Sequence, residues 1–512
     1  MVPTRTLNDR IFPHVRNAVL ALGALLGLVV LVRFIFIRTW NYDELSHAHM
    51  AWLVSVGEIP YRDFAINHFP FFWAPVSVLM RILPQNSGGL MMLRGGALLL
   101  NCVFIGALGT LITAELPARQ RIWSAACFAL VVFSPLSLHF LMEFRPDALA
   151  NALLFPALLW LVMDGTKRAW VALVCGFCIG AAILINTKYI FFPFILAAAA
   201  LALNIPRVLR AWPFILSLCT GFAAALLCGF CLLNHMQIEF GEAWRMVISY
   251  NSAAEKAHTF GYGLAWAVAQ RPVLLAYCVA GLIGCGVLFF RRREFPGFFA
   301  IAIFLFLTIN LATSTRPWKQ YAVSWFLLAA WFPARSLPSL LARLNTQAQI
   351  VAALCIVGAM VAGLAGMPLK DPSGAGDIVR ASQDRLIDVT PQLVAPDGFV
   401  AAGFPMHPVF RRDSFFKVVI DMTTGDADGL ERFMPELDPG PYSEHFTQRG
   451  YEKELALRPP SMIVVRSLFT EAQTRALNVF LKSNVDSYEY RDIPDSNVTV
   501  LVRTNAGQPG TN

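Results

Sequence analysis

The chain contains a series of long apolar runs, and these constrain its fold more than any other feature. About eleven runs follow one another up to residue 366, most of them close to the roughly 20 residues that a helix needs to cross a bilayer. Only 14% of the 512 residues are charged, against about 25% in an ordinary soluble domain, which excludes a soluble globule. The sequence therefore predicts an α-helical polytopic membrane protein with about 11 transmembrane helices. The predicted spans are 15–37, 90–116, 122–140, 148–163, 170–185, 189–203, 212–233, 272–290, 298–313, 321–332 and 349–366.

The basic residues predict how these spans are oriented. One set of short loops is basic, and the positive-inside rule assigns such loops to the cytoplasm. Its members are Arg119, Arg121, Lys167, Arg168, Arg207, Arg210, Arg291, Arg292, Arg293, Arg335 and Arg343. The long loops 38–89 and 234–271 then face the opposite side, and an odd number of spans places residues 370–512 with them. The first run lacks a cleavage site and is predicted to be retained, in a multi-pass protein of the cytoplasmic (inner) membrane.

Composition divides the chain at residue 370. Residues 1–369 hold 26 Lys and Arg against 13 Asp and Glu, whereas residues 370–512 hold 15 against 20. In the second part, β-rich runs at 399–402, 462–465 and 498–502 alternate with polar helical patterns, which predicts a small extracytoplasmic α/β domain. The pI near 9.0 follows from the membrane topology, so no nucleic-acid partner is predicted.

The cysteines carry no predicted chemistry. All ten lie between Cys102 and Cys355, within apolar runs or at their ends. Two pairs have CxxC spacing, but cysteines in apolar helices without polar ligands nearby are usually packing residues. We therefore predict no metal or redox site at these cysteines, and no cofactor is certain.

Acidic residues follow two of the predicted spans on the outer side. Asp43 and Glu44 open the first long loop, and Asp147 follows Pro146 at the start of a span. Asp43 and His47 share a helical face, which predicts a short amphipathic helix in the membrane interface. Each acidic group also has a plainer interpretation, because carboxylates suit helix N-termini and proline favours the first helical turn.

Cations are predicted on the same side. Lys188 interrupts an otherwise apolar stretch, where a snorkelling lysine is the plainer interpretation. Arg316 and Lys319 precede another span, although cations at a helix N-terminus oppose its dipole. No Walker loop or GxGxxG motif accompanies these groups, so the set favours an anionic lipid headgroup over a nucleotide. A carboxylate would take the proton of an incoming hydroxyl, and the cations would stabilise a departing phosphate.

These motifs, in this order, resemble the GT-C superfamily of polyprenyl-phosphate-sugar-dependent glycosyltransferases. The nearest branch is similar to bacterial relatives of protein O-mannosyltransferases and of the lipid A aminoarabinose transferase, the family 39/83 type. The matching elements are Tyr42-Asp43-Glu44, Gly57 through Asp63, His68 with Pro70, Arg145-Pro146-Asp147, Thr187-Lys188 and Arg316 through Tyr321.

The resemblance implies a role for each candidate residue. Asp43 would be the catalytic base with Glu44 beside it, and Asp147 would orient the acceptor or the base. The donor phosphate would be bound by Lys188, Arg316, Lys319, His68 and Arg62. His68 stands where some relatives carry a phosphate-binding lysine, and an acidic metal ligand of some relatives is missing, so a divalent metal is not supported.

The function implied is inverting transfer of a sugar from a polyprenyl-phosphate donor to an envelope glycan, lipid or protein on the outer membrane face. Two alternatives remain open. A lipid-linked substrate transporter or flippase also needs many spans, although transporters usually place ionisable groups near the midplane of repeated halves. A non-catalytic assembly partner would leave the clustering of Asp43, Asp147 and Lys188 unexplained.

Overall fold

The computed structural model describes residues 7–66, 68–114, 116–163, 168–191, 212–249, 272–292, 326–365, 380–416, 447–465 and 469–504, with the single residues 308, 445 and 467. Helices make up most of these stretches. The first eight are α1 (Leu7–Ile37), α2 (Tyr42–Ser55), α3 (Trp73–Met80), α4 (Ser87–Thr113), α5 (Ala118–Val132), α6 (Pro135–Leu141), α7 (Pro146–Met163) and α8 (Ala169–Ile185). They are followed by α9 (Trp212–His235), α10 (Phe240–Trp244), α11 (Pro272–Arg292), α12 (Trp331–Leu341), α13 (Thr346–Ala365), α14 (Arg380–Leu393), α15 (Gln448–Leu457) and α16 (Glu471–Asn484).

Within the described stretches, four helices are long and apolar enough to cross a membrane: α1 from His14 onward, α4, α9 and α13. Four shorter apolar helices lie in α7, α8, α11 and the segment Phe326–Leu341. The polytopic helical class predicted from the sequence is therefore confirmed. The predicted spans 189–203 and 298–313 fall largely outside the described residues.

Two predicted spans differ from the helices observed. The span 122–140 is broken into α5 and α6, which are bent by 75°, because Ser134 caps α6 and Pro135 has no N–H to continue α5. The helix predicted to end at residue 332 continues to Leu341, so Arg335 is helical and its assignment to a loop is wrong. Its guanidinium instead donates to Ile112 O (3.1 Å) and Ala114 O (2.6 Å) at the end of α4.

Residues 380–504, here called the C-terminal unit, form a five-stranded sheet with α14, α15 and α16. The strands are β1 (Phe399–Ala401), β2 (Arg412–Asp413), β3 (Met462–Val464), β4 (Tyr488–Asp492) and β5 (Thr499–Arg503), in the order β2-β1-β3-β5-β4. β1 pairs in parallel with β2 and β3, whereas β5 is antiparallel to β3 and β4. Each of the three predicted β-rich runs overlaps one of these strands, namely β1, β3 and β5.

The segment between α1 and α4, residues 38–86, is here called the first loop. It packs against the C-terminal unit, and one continuous cluster of buried apolar side chains includes residues of both. Helix α2 is consequently buried from Glu44 through Leu53. The prediction of a helix at Asp43 is confirmed, but α2 presents no exposed polar face, because α3 and the C-terminal unit cover it. Its location in the membrane interface stays a prediction.

Candidate active site

The N-termini of α2 and α7 meet, and each brings an aspartate. Asn41 caps α2, because its side chain accepts from Asp43 N while the Glu44 carboxylate accepts from Asn41 N. Asp147 lies in the first turn of α7, directly after Pro146. Carboxylates are favoured at such positions by the helix dipole. Two acidic motifs that are far apart in the sequence are therefore brought to one place.

Arg145 joins the two aspartates. Its Nη1 donates to Asp43 Oδ2 in a short contact, and its Nε lies 3.4 Å from Asp147 Oδ2. The guanidinium itself is almost enclosed, whereas 30% of the Asp43 side chain and 28% of the Asp147 side chain are exposed. Two carboxylates are thus accessible to solvent, and both contact the same buried guanidinium group.

Asn186 adds a polar contact from a third element. It ends α8, and its Nδ2 donates to Asp147 Oδ1 at 2.9 Å. A 3₁₀ turn, Thr187–Phe191, follows at once and contains the backbone of Lys188. Lys188, which the sequence suggests as a phosphate ligand, therefore belongs to a turn that begins directly after Asn186, the residue that contacts Asp147. The side chain of Lys188 lies outside the described part of the chain, as do Arg316 and Lys319.

Glu44 faces away from the exposed carboxylates, although it is the next residue after Asp43. Both of its oxygens accept from Arg94, at 2.8 and 2.6 Å, and its side chain is 1% exposed. Burial raises the pKa of Glu44, but Arg94 and Arg38 outweigh burial and leave this pKa lowered. The contact ties α2 to α4, so the geometry favours a supporting rather than a reactive Glu44.

Glu143 lies between two arginines beneath the exposed pair. It accepts from Arg38 Nη2 at 2.5 Å and from Asn41 Nδ2 at 2.8 Å, while its other oxygen is 3.2 Å from Arg145 Nη1. Burial raises the pKa of Glu143 to about 7, against the attraction of Arg38 and Arg145. For Arg145, burial lowers the pKa, but Asp43, Asp147 and Glu143 together leave it raised. The base of the site therefore contains a carboxyl group whose pKa is raised by burial although two arginines contact it.

Sequence reasoning assigned no role to Arg38, Arg94, Glu143 or Asn186. A signal existed for Arg94, because a charged residue inside a 27-residue apolar helix is costly and needs a partner. The partner itself was not predictable, since Glu44 lies in a different element. Asn186 lacked any signal, because a polar residue at the end of a span is ordinary.

The structure places two other candidates in the first loop. Arg62 is mostly exposed and pairs with its neighbour Asp63 at 2.9 Å. The ring of His68 lies 5.7 Å from the His47 ring and 6.3 Å from Trp73, and its carbonyl accepts from Tyr61 Oη. Their assignment to the donor phosphate stays a prediction.

A buried His-Asp-His cluster lies where α2 meets the C-terminal unit. Possible metal-ligand atoms of His49, His407 and Asp413 lie within 4.8 Å of one another. His49 Nδ1 donates to Val409 O, as in many metal-binding histidines. His407 does not fit a metal, because its Nδ1 accepts from Val409 N and its protonated Nε2 then donates to Asp413 at 3.0 Å. The cluster is better described as a hydrogen-bonded contact, completed by His49 Nε2 at 2.7 Å from Asp413.

Comparisons with known proteins identify the fold through structure alone. No family model matches the chain, and no curated protein matches it. ArnT from Cupriavidus metallidurans bound to undecaprenyl phosphate is similar, with a TM-score of 0.61 and 14% identity over 96% of this chain and 99% of that one. The same protein in its apo state gives a TM-score of 0.59 at 13% identity, over 94% and 97% of the two chains.

A second group of similar structures is archaeal. The Archaeoglobus fulgidus oligosaccharyltransferase tethered with an acceptor peptide has a TM-score of 0.52 and 14% identity, over 94% of this chain and 73% of that one. The Archaeoglobus fulgidus oligosaccharyltransferase AglB with an inhibitory peptide and a dolichol-phosphate has a TM-score of 0.53 and 13% identity, over 97% and 75%. Both groups share the fold of this chain at 13–14% identity, so the fold expected from the sequence motifs is confirmed.

Proposed function

We propose that this chain, which has a GT-C fold, is an inverting glycosyltransferase that moves a sugar from a polyprenyl phosphate to an envelope acceptor. The observation that carries the proposal is the convergence of Asp43 and Asp147, both partly exposed, on the buried Arg145 at the N-termini of α2 and α7. Similar solved structures are bound to undecaprenyl phosphate or dolichol-phosphate, which supports a lipid-linked donor. The acceptor class, whether glycan, lipid or protein, is left open by this argument.

Asp43 is the proposed general base. Among the described residues its hydrogen-bonded side-chain partner is Arg145, through Oδ2, so Oδ1 is available to accept from an acceptor hydroxyl. The acceptor oxygen bonds to the anomeric carbon as the bond from that carbon to the phosphate oxygen breaks. The hydroxyl proton passes to Asp43, and the bonding electrons leave with the polyprenyl phosphate. Asp147, oriented by Asn186 and Arg145, would hold the acceptor.

The donor phosphate is proposed to lie beside the turn that carries Lys188. That turn follows Asn186, which is itself bonded to Asp147, so a phosphate there would be close to the exposed carboxylates. Arg316, Lys319 and His68 are the further proposed phosphate ligands, and their charge would stabilise the leaving group. Arg62 would have to exchange its contact with Asp63 to take part.

We also propose the inner membrane as the location, with the site on the periplasmic side. The end of the helices opposite the site is basic. Arg16 contacts Gln349 at 2.8 Å and the Trp123 ring, and Arg335 binds the end of α4. The positive-inside rule assigns this end to the cytoplasm. Residues 1–369 would then form the catalytic membrane domain and residues 370–512 an extracytoplasmic domain.

A cleft between the first loop and the C-terminal unit is a proposed contact for the acceptor. Its volume is about 170 Å³, and its lining combines charged with aromatic side chains. These include Glu58, Asp63, Arg412, Arg458, Phe64 and Phe399. Paired carboxylates and guanidinium groups suit hydroxyl-rich ligands, and ring faces suit the apolar face of a sugar.

The test uses purified protein in nanodiscs with a panel of polyprenyl-phosphate sugars and an envelope extract as acceptor. We expect release of polyprenyl phosphate that requires the acceptor. Asp43→Asn should reduce turnover by about 10²- to 10⁴-fold while donor binding persists, because the base is lost. Near-normal turnover of Asp43→Asn would refute its assignment. Binding of every donor without turnover, with lipid crossing the bilayer instead, would favour the flippase alternative.

A further inference from the structure

Trp40, which directly precedes the N-cap of α2, is held between two arginines. The Arg94 guanidinium lies 4.0 Å from the centre of the indole, and the Arg380 guanidinium lies 3.9 Å from it. Trp40 is 2% exposed. Arg94 comes from the membrane helix α4, whereas Arg380 begins α14 of the C-terminal unit. The indole is therefore a contact between the two parts of the chain, three residues before Asp43.

Helix α14 also binds the polar atoms of Trp40. Gln383 Oε1 accepts from Trp40 N at 2.7 Å, and Gln383 Nε2 donates to Trp40 O at 3.0 Å. The indole Nε1 donates to Asp384 Oδ1 at 2.7 Å. The backbone and the side chain of Trp40 are thus all hydrogen-bonded to one helical turn of α14. Such a paired amide contact fixes a backbone in position and orientation.

The contact continues from Trp40 to the active-site helix. Arg94 stacks on the indole and also binds both oxygens of Glu44 and the carbonyl of Thr39. Arg380 donates to the carbonyl of Arg38 at 3.0 Å. Residues 38–44 are consequently held from one side by Arg94 and from the other side by α14.

Two cations on one indole repel each other, so this arrangement needs compensation. Each guanidinium has a carboxylate: Glu44 for Arg94, and Asp384 for Arg380 at 2.7 Å. The pKa of Arg380 is lowered. Burial is the main cause, and the charge of Arg94 adds to it, whereas Asp384 acts in the opposite direction. Each of the two guanidinium groups thus has a carboxylate partner, which offsets the cost of holding both cations beside one buried indole.

We propose that α14 is a positioning element of the active site, acting through Trp40, with Arg380 and Gln383 as its positioning residues. This inference rests on the proposed transferase function. By fixing Trp40, α14 sets where α2 begins and therefore where the Asp43 carboxylate points. Misplacement of a reacting group by about 1 Å costs about 10²-fold in rate. The C-terminal unit then positions the active site through this one contact and is not an independent attachment.

The experiment compares Arg380→Ala with Arg385→Ala, because both arginines belong to α14. Arg385 is 44% exposed and pairs with the exposed Asp495, so it is the matched control. We expect Arg380→Ala to lower kcat about 10- to 100-fold with KM for the donor unchanged, and Arg385→Ala to behave as the unmodified protein. Gln383→Leu, which loses both contacts with the Trp40 backbone and the contact with Pro405 O, should behave like Arg380→Ala.

Hydrogen exchange supplies a readout that needs no activity. Peptides covering residues 38–46 should exchange faster in Arg380→Ala and Gln383→Leu, with other regions unchanged. Unaltered exchange there, or an unaltered kcat despite faster exchange, would overturn the inference. Equal losses of kcat in Arg380→Ala and Arg385→Ala would also overturn it. The unmodified protein could turn over no donor while hydrogen exchange of residues 38–46 still responds as expected. In that case the proposed function fails, but the positioning of Trp40 by α14 stands.

Discussion

At the scale of single residues, Asp43 and Glu44 show how neighbouring carboxylates acquire different roles. Successive helical residues point about 100° apart, so one faces solvent and the other faces α4. Asp43 remains 30% exposed, whereas Glu44 is enclosed by Arg94. An aspartate that keeps solvent access can exchange protons with a substrate, and a glutamate bound by both oxygens has its geometry fixed. Their chemical similarity in the sequence gives no hint of this division.

Glu44→Gln tests the supporting role. The substitution keeps the side-chain shape but leaves the Arg94 charge buried without compensation, which costs about 3 to 5 kcal/mol. We expect a marked loss of thermal stability in detergent. Asp43→Asn is the control, because Arg145 keeps Glu143 and Asp147 as partners and stability should change little. Equal stability losses in the two variants would contradict the division of roles.

Glu143 predicts a pH dependence of stability. Its pKa is raised in the folded protein from 4.5 to about 7, so the folded state holds a proton that the unfolded state releases. The stabilising contribution is complete below pH 4.5 and is lost as the pH rises to about 7. Melting temperatures measured across this range should fall with pH in the unmodified protein and fall less in Glu143→Gln. Parallel curves for the two proteins would exclude Glu143 as the source.

At the scale of elements, glycines allow α8 and α9 to pack with their backbones in contact. A Cβ at Gly176 would lie 2.0 Å from Leu218 O, and a Cβ at Gly221 would lie 1.9 Å from Leu173 O. Lipid tails are as apolar as helix surfaces, so the hydrophobic effect does not drive helices together within a membrane. Close backbone packing through small residues is therefore a common basis of helix association there. This packing positions the end of α8, and with it Asn186 beside Asp147.

Gly221→Ala should therefore force α8 and α9 apart. We expect a loss of about 1 to 3 kcal/mol in stability from overpacking, together with reduced turnover. Gly106→Ala is the control, because among the described residues no atom outside its own helix backbone lies within 4 Å of a Cβ there, and alanine favours a helix by about 1 kcal/mol. Unfolding in a denaturing detergent measures the stability of the two variants. A Gly221→Ala protein as stable as Gly106→Ala would show that the helices repack without cost.

At the scale of the whole molecule, the C-terminal unit is fixed to the first loop by contacts of different burial. The His49, Asp413 and His407 cluster is buried, whereas Arg412 and Glu58 form a partly exposed pair at 2.6 Å. Asp388 of α14 also accepts from the backbone and the hydroxyl of Ser87, at the start of α4. The unit thus touches both the first loop and a membrane helix.

Double-mutant cycles can compare these two contacts. Contacting groups in a buried network typically couple by about 0.5 to 3 kcal/mol, so His49→Ala and Asp413→Ala should couple in the upper part of that range. Glu58→Ala and Arg412→Ala should couple by less than about 1 kcal/mol, because solvent screens the pair. A larger coupling energy for the partly exposed pair of Glu58 and Arg412 than for His49 and Asp413 would mean that the buried cluster does not fix the unit.

The sequence by itself determined the membrane class, most helix positions, the β-rich runs of the C-terminal unit and the acidic motifs. Each of these depends on local composition, which hydropathy, alternation and short motifs record directly. Tertiary structure alone decided that Glu44 is enclosed while Asp43 stays partly exposed, that α2 is buried, and that α14 holds Trp40. Those outcomes depend on burial and on partners distant in the chain, such as Arg94 for Glu44 and Gln383 for Trp40. Charge pairing in a low-dielectric interior depends on distances that no local pattern encodes.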